Sequence, residues 1–230
     1  MQHIAIYDMD KTITRKATFG PFLFHAALKR NPARLLMFPL FGAISSVHLA
    51  LARLKLHRGD YRKAAKVSGL TLVAGAPFHA EQAEALGKSF AADTLLKNSL
   101  PGALAQIEAD RAAGYRLVLA SASNRLYVAA IAEALGFEVA ICTENHVCDD
   151  GRVHARIPGD NCYGATKLRL IENWMAGVGV DRADAHIRFY SDHVTDAPCM
   201  EWADEAFATN PHPPLRKLAQ KRGWPVLDWA

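Results

Sequence analysis

The chain has 230 residues, half of them hydrophobic, and a formal net charge of +4. This composition excludes a disordered chain, because so many apolar residues can bury a substantial core. Charged residues from position 8 onward interrupt the apolar run that a signal peptide needs. We expect no nucleic-acid partner. No C-x-x-C pair occurs, so we expect a cytoplasmic protein whose cysteines are reduced thiols: Cys142, Cys148, Cys162 and Cys199.

The N-terminus predicts a buried strand that ends in two acids. Residues 4–7 are apolar, and the sequence D-M-D-K-T follows them, beginning at Asp8. Two carboxylates one residue apart, Asp8 and Asp10, repel each other, and a cation or a proton-transfer role would relieve that repulsion. A calcium loop is excluded, because Ile13 and Phe19 stand where an EF-hand needs Gly and Glu. The pattern therefore predicts a metal-assisted carboxylate site at the edge of a sheet.

The following segment is basic and contains a long apolar run. Residues 11–59 contain nine Lys and Arg but no Asp or Glu. Within them, residues 35–52 carry no Lys, Arg, Asp or Glu, and their length reaches the lower limit for a membrane span. Pro39 and Gly42 argue against a span, and an apolar helix can also be buried in protein. Membrane contact and burial both remain open interpretations.

The rest of the chain alternates apolar strands with amphipathic helices, which predicts an α/β architecture with a parallel sheet. Helices are predicted over residues 80–96, 103–113, 126–135 and 164–174, with a further helix after residue 214. Strands are predicted over residues 115–120, 137–142, 187–190 and 207–209, and Asp150-Gly151 indicates a hairpin turn. Polar residues follow two of these strands, namely Ser121, Asp192 and Asp196. Parallel strands would bring them to the same sheet edge as Asp8.

The order of these motifs resembles the haloacid dehalogenase superfamily of phosphohydrolases. The matching features are D-M-D-K-T, Ser121, Lys167, and Asp192 with Asp196 four residues later. The segments A-S-A-S-N, C-Y-G-A-T-K and Y-S-D-H-V-T-D resemble subfamily IB, which includes phosphoserine phosphatase. The resemblance covers about the whole chain. It implies a Rossmann-like core of residues 1–14 and 96–230, and a helical cap of residues 15–95 inserted between the first two motifs.

The resemblance implies a phosphatase mechanism that uses Mg²⁺. Asp8 would be the nucleophile that forms an aspartyl-phosphate, and Asp10 would protonate the leaving oxygen and then activate water. Asp8, the backbone carbonyl of Asp10, and Asp192 would bind the metal ion.

The remaining residues of the motifs would bind phosphate or support the site. Ser121 and Lys167 would bind the phosphoryl oxygens, while Thr12 and Asp196 would hold their neighbours in place. His193 stands where relatives commonly have a small residue. We expect it to face solvent rather than to act as a further base.

The cap would determine the substrate, and three interpretations of the protein stay open. Phosphoserine is not expected, because Arg15 and Lys16 stand where that enzyme family has a glutamate for the substrate ammonium. The basic, apolar cap resembles the phosphatidylglycerophosphatase C family, which implies an anionic phospholipid substrate at the inner face of the membrane. The alternatives are a soluble phosphatase of a phosphorylated small molecule, whose apolar cap residues only pack together, and a binding protein with a vestigial site.

Overall fold

The computed structural model describes residues 1–229, and one parallel sheet runs through the centre of the protein. Its strand order is β3-β2-β1-β4-β5-β6, with every neighbouring pair parallel. The strands are β1 (Gln2–Tyr7), β2 (Arg116–Asn124), β3 (Val139–Thr143), β4 (Ala185–Ser191), β5 (Glu205–Thr209) and β6 (Val226–Leu227). The predicted α/β class and parallel sheet are confirmed. Strand β6 was not predicted, because two residues carry no periodic signal.

Nine α-helices lie within residues 1–229. They are α1 (Phe19–Arg30), α2 (Phe38–Arg53), α3 (Tyr61–Gly69), α4 (Ala80–Asn98), α5 (Pro101–Ala112), α6 (Arg125–Ala134), α7 (Ala165–Gly177), α8 (Ala197–Trp202) and α9 (Pro213–Arg222). Shorter helical turns are Pro32–Met37, Leu70–Ala74, Arg182–Asp184 and Val194–Asp196. The predicted Asp-Gly turn is present at Gly151, whose φ is 77°. Cys148 N donates to Arg152 O at 2.9 Å and His154 N donates to His146 O at 2.8 Å, so the two arms pair as a short hairpin.

Both faces of the sheet are covered, which explains the continuous apolar sequence of β1. Successive side chains of a strand point to opposite faces. Ala5 and Tyr7 therefore pack into one core cluster, while Ile4 and Ile6 pack into the other. All four residues are fully buried, as expected for a parallel sheet with helices on each side. The four cysteines are free thiols, as predicted.

A helical segment is inserted between β1 and α5. The chain leaves and re-enters the sheet layer at one place, where Arg15 N donates to Asn98 O at 2.7 Å and Leu100 N donates to Ile13 O at 2.9 Å. Helix α4 closes the insertion and packs along α6 beside the sheet. We retain the division into a core of residues 1–14 and 96–230 and a cap of residues 15–95 as a proposal.

The apolar run of residues 35–52 lies on the surface. No residue of α2 is buried, and Leu36 and Val47 are 76% and 57% exposed. The interpretation of this run as a buried helix is therefore wrong. By length and composition alone, Pro32–Arg53 could cross a membrane, with a mean hydropathy of 1.9. Its inner side packs against α3.

Candidate active site

The predicted site residues meet where the strand order of the sheet changes direction. The chain winds from β1 through β2 to β3 on one side, and β4 then returns to the other side of β1. Ligands of such sheets bind outside the carboxyl ends of the strands at this point. A cavity of about 220 Å³ lies there, lined by six of the predicted residues: Asp8, Asp10, Ser121, Lys167, Asp192 and Asp196.

Asp8 is fixed in the centre of this edge by the sheet itself. It directly follows β1, and its backbone N–H donates to Tyr190 O in β4 at 3.0 Å. Ser121 approaches from β2 on the other side of β1 and is 1% exposed. Asp192 is the first residue after β4. Three neighbouring strands thus deliver one side chain each to the cavity.

Lys167 lies between two buried carboxylates. It belongs to the first turn of α7, which begins after Gly164 in a positive-φ conformation. Its Nζ donates to Asp8 Oδ1 at 2.7 Å and to Asp196 Oδ2 at 2.8 Å. Burial alone would lower the pKa of Lys167, but Asp196 and Asp8 raise it well above its ordinary value. The site therefore holds a permanent cation beside Asp8.

One lysine does not neutralise the carboxylates of this edge. Burial raises the pKa of Asp8 to about 7, with Lys167 opposing the shift and Asp196 and Asp192 adding to it. Burial likewise raises the pKa of Asp192 to about 7, with Lys11 opposing and Asp196 adding to the shift. Two buried acids whose ionisation is this unfavourable form a donor set suited to a hard divalent cation.

The side chain of Asp10 is held apart from such a cation site. Its Oδ1 accepts from Thr18 N at 2.8 Å, and its Oδ2 accepts from Ser123 Oγ at 2.8 Å. Within residues 1–229, no three His, Cys, Asp or Glu side chains converge as a complete metal site. The contribution of the Asp10 backbone carbonyl to a metal site and of its carboxylate to proton transfer stays a prediction.

Thr12 and Asp196 hold the residues around them. Thr12 Oγ1 accepts from Asp192 N at 3.0 Å and lies 3.4 Å from Asp8 Oδ2, so it ties the ends of β1 and β4 together. Asp196 Oδ2 also accepts from Ser191 Oγ at 2.8 Å. The supporting roles of Thr12 and Asp196 in catalysis stay a prediction.

Three residues of this network were not identified from the sequence. Thr18 and Ser123 bind the carboxylate of Asp10, and Ser191 binds Asp196. Ser123 and Ser191 belong to the quoted segments A-S-A-S-N and Y-S-D-H-V-T-D, so their hydroxyls were an available signal. Thr18 acts through its backbone, for which the sequence contains no signal.

His193 was expected to face solvent, and in the structure it is partly exposed. It lines the cavity and stacks on His212 with ring centroids 4.0 Å apart and planes 6° apart. Its Nδ1 lies 2.8 Å from Thr195 Oγ1. Burial and the neighbouring His212 lower the pKa of His193. The ring therefore forms a neutral, packed wall of the cavity.

Comparison with known proteins identifies the family. The sequence model described as haloacid dehalogenase-like hydrolase matches residues 5–201. The chain belongs to the haloacid dehalogenase-like hydrolase family. A probable phosphatase of Mycobacterium tuberculosis (strain ATCC 25618 / H37Rv) is 29% identical to this hydrolase over 232 residues, covering 98% of the chain and 75% of the relative. The prediction of a haloacid dehalogenase-type phosphatase is confirmed at the level of the family.

A further relative matches only part of the hydrolase. The inhibition of morphological differentiation protein of Streptomyces azureus is 36% identical over 123 residues, which are 54% of this chain and 43% of that protein. The match therefore spans less than half of that relative.

Solved structures share the whole fold of the hydrolase. A protein with unknown function from Bordetella pertussis Tohama I has 27% identity and a TM-score of 0.82, and each chain is covered completely. A probable phosphoserine phosphatase from Vibrio cholerae has 15% identity and a TM-score of 0.66, covering 100% of this chain and 61% of that one. At that identity the second likeness shows the fold alone.

Proposed function

We propose that this hydrolase cleaves phosphomonoesters through an aspartyl-phosphate on Asp8, with Mg²⁺ as cofactor, in the cytoplasm. The observation that carries the proposal is the single cavity in which Asp8, Asp10, Ser121, Lys167 and Asp192 meet. These are the groups that phosphoryl transfer needs: a nucleophile, a proton donor, and donors for the phosphoryl oxygens.

The residues of the cavity support a division of the chemistry between two carboxylates. A carboxylate oxygen of Asp8 attacks phosphorus, and the bond from phosphorus to the ester oxygen breaks while Asp10 gives that oxygen its proton. Asp10, now ionised, takes a proton from water, and the resulting hydroxide displaces Asp8 from phosphorus to release phosphate. Thr18 N and Ser123 Oγ hold Asp10 in position for both transfers.

Two further residues receive the phosphoryl group in this proposal. Lys167, which pairs with Asp8 and Asp196, offers its ammonium to the phosphoryl oxygens, and Ser121 lines the same cavity and offers its hydroxyl. Asp8, Asp192 and the backbone carbonyl of Asp10 would hold Mg²⁺, which supplies positive charge that reduces the repulsion between a carboxylate and a phosphate dianion.

The lining of the cavity argues against phosphoserine as substrate. Of residues 15–95, Ala17 lines the cavity, and no carboxylate from that range does. The first acid of the helical segment along the chain, Asp60, instead accepts from Asn161 Nδ2 at 2.9 Å. A substrate ammonium would therefore find no partner from the cap, and we expect an ester without one.

The direct test is phosphate release from a panel of esters. We would compare p-nitrophenyl phosphate, phosphoserine, histidinol phosphate and phosphatidylglycerophosphate, each with Mg²⁺ and with EDTA, and use Asp8→Asn as the inactive control. Mg²⁺-dependent release that Asp8→Asn abolishes supports the proposal. Undiminished release by Asp8→Asn, or in EDTA, would contradict the assigned nucleophile or the cofactor respectively.

The exposed apolar surface of α2 and of the residues just before and after it favours a second candidate, action on an anionic lipid phosphate at a membrane surface. Leu36, Leu40, Val47 and Leu54 are between 48% and 76% exposed, and residues 11–59 contain cations but no acids. Apolar side chains beside Lys and Arg are the combination that binds an anionic bilayer surface. Asp8 precedes this segment and Asp192 follows it, so one complete crossing would separate two residues of one site.

Vesicle binding tests this second candidate separately from catalysis. We expect the protein to co-sediment with phosphatidylglycerol vesicles at low salt, and to be released by high salt or by replacement of the lipid with phosphatidylcholine. Failure to bind phosphatidylglycerol vesicles would leave the soluble phosphatase as the function.

A further inference from the structure

Helix α3 carries a lysine that reaches from the cap into the loop beside the active site. Lys66 Nζ donates to Ala122 O and to Asn161 Oδ1. Asn161 in turn donates to Asp60 Oδ2 at 2.9 Å, and Asp60 also caps the N-terminus of α3 by accepting from Arg62 N at 2.9 Å. The ammonium of Lys66 therefore links the cap to the core through two independent acceptors.

The backbone that Lys66 binds belongs to the segment Ser121-Ala122-Ser123, which we call the 121–123 segment. Ser121 and Ala122 line the active-site cavity. Ser123 donates its hydroxyl to Asp10 Oδ2 at 2.8 Å, and its backbone N–H donates to Ser121 Oγ at 3.1 Å. Displacement of this segment would thus move the phosphate-facing Ser121 and the hydrogen bond to Asp10 together.

The 121–123 segment is a departure from regular pairing. The register between β2 and β3 shifts between Ser121 and Asn124, so the strand ladder does not fix the intervening residues. The carbonyl of Ala122 instead accepts from side chains, namely Lys66 Nζ and Thr143 Oγ1, the latter at 2.6 Å. Lys66 is the contributor that comes from the inserted helices.

We propose that Lys66 is a positioning residue: from the cap, its ammonium fixes the 121–123 segment, and through that segment it orients Ser121 and Asp10 for phosphoryl transfer. The proposal rests on the proposed function. The catalytic arrangement would then be complete only when the cap is docked on the core, because α3 supplies Lys66.

The charge environment of Lys66 supports a functional role for its ammonium. Burial lowers the pKa of Lys66 to about 8, and the groups that oppose this shift are Asp60 on its own helix, Asp10 after β1, and the thiols Cys162 and Cys142. An enclosed ammonium in this setting is unfavourable for stability compared with an apolar side chain of similar length.

The hydroxyl of Thr143 can replace the ammonium of Lys66 at only one of its two acceptors. Thr143 Oγ1 lies 2.6 Å from Ala122 O and 2.9 Å from Asn161 Oδ1, but it has one proton to donate. Lys66→Met therefore leaves one acceptor without that donor, and its unfolding temperature is measured beside its kinetics so that a folding defect is recognised. Lys66→Gln is a second replacement of similar length should Lys66→Met fold poorly.

The helix also offers a matched control. Lys63, one turn earlier on α3, donates its Nζ to Gly159 O at 2.8 Å, so it also joins the cap to the core. Its contact lies outside the 121–123 segment. Lys63→Met thus removes the same charge and the same kind of bond without the proposed positioning effect.

The experiment combines kinetics with hydrogen exchange of the full chain. We would measure kcat and KM for p-nitrophenyl phosphate with Mg²⁺, and amide exchange of peptides that cover residues 119–126. For Lys66→Met we expect kcat to fall about 10- to 100-fold, with a smaller change in KM, because Asp10 acts in the chemical step. Exchange of the 119–126 peptides should accelerate in Lys66→Met and stay unchanged in Lys63→Met.

Two results would overturn the proposal. One is equal kcat and equal exchange in Lys66→Met and Lys63→Met. The other is a fall in kcat without faster exchange, because Lys66 would then act on substrate and not through the segment. If the wild type shows no more activity than Asp8→Asn, the proposed function fails, and exchange of the 119–126 peptides alone decides whether Lys66 holds the segment.

Discussion

The edge of the sheet and the outer face of the cap differ in how their side chains are partnered. At the sheet edge, buried charged groups are paired: Lys167 lies between Asp8 and Asp196, and Asp10 accepts two hydrogen bonds. On the outer face, the apolar side chains of α2 lie exposed. Lys167 and Asp10 have partners within the chain, whereas the exposed apolar side chains of α2 offer surface to a partner outside it. We infer that chemistry resides in the former and partner choice in the latter.

The largest expected effect falls on the sheet edge. Asp8→Asn removes the proposed nucleophile while keeping the shape of the side chain, so phosphate release should fall about a thousandfold or more. The matched control is Asp93→Asn, which removes a carboxylate that pairs with Lys97 on the exposed side of α4. Steady-state assay of p-nitrophenyl phosphate compares them. Similar activity of Asp8→Asn and Asp93→Asn would contradict the placement of catalysis at the sheet edge.

A smaller effect should follow from loss of one hydrogen bond to Asp10. Ser123→Ala removes the hydroxyl that donates to Asp10 Oδ2, and kcat should fall about 10- to 100-fold, as expected for a bond to a charged group. The assay is again the steady-state rate, with the pH profile of kcat recorded beside it. An unaltered kcat and profile would show that Ser123 does not position Asp10.

Replacements on the outer face of the cap should weaken vesicle binding and leave catalysis unchanged. The combined replacement of Leu36, Leu40 and Val47 by Ser should weaken binding to phosphatidylglycerol vesicles about tenfold or more, because apolar area can no longer enter the lipid interface. Activity toward p-nitrophenyl phosphate should stay at the wild-type level. Co-sedimentation measures the first property and steady-state assay the second.

Leu96 provides the control for this cap variant. It is 80% exposed on α4, outside the apolar segment, so Leu96→Ser should retain vesicle binding. Equal binding by both variants would show that α2 and the helical turn before it are not the lipid-contacting surface.

The smallest expected effect is a difference in thermal stability with pH and Mg²⁺. The pKa values of Asp8 and Asp192 are raised to about 7 from an ordinary value of 3.8. The protonated carboxyl groups of Asp8 and Asp192 therefore contribute fully to the stability of the folded state below the ordinary pKa of 3.8. This contribution is lost as the pH rises through about 7. Because Mg²⁺ binds only the ionised carboxylates, it should raise the unfolding temperature more at about pH 8 than at about pH 5. Calorimetry measures both, and an equal rise at the two pH values would contradict the prediction.

The sequence predicts the parts of this protein that depend on local pattern. Buried strands followed by acids at Asp8 and Asp192 mark the sheet edge, because the apolar run and its abrupt end are both local features. Strand β6 could not be predicted, because Val226–Leu227 is too short and is defined by its pairing with β5. The exposure of α2 could not be predicted either, because a helix that is apolar on all sides has the same sequence pattern whether it is buried or exposed.

Within the site, prediction failed where a role depends on a distant partner. Ser123 and Asp10 lie 113 positions apart, and Lys66 and Ala122 lie 56 apart, so neither contact has a spacing that can be read from the chain. His193 was expected to face solvent, but its stacking on His212 comes from a loop that the sequence does not connect to it. Tertiary contacts alone determine these positions.

The measurement that tests the central claim most directly is chemical trapping of the phosphorylated enzyme. The protein would be mixed with excess p-nitrophenyl phosphate and Mg²⁺, quenched in acid during turnover, and treated with borohydride, which reduces an aspartyl-phosphate to homoserine. Peptide mass spectrometry should then find homoserine at position 8, and none when substrate is omitted. Active turnover with an unmodified Asp8, or with the reduced residue at another aspartate, would contradict the account.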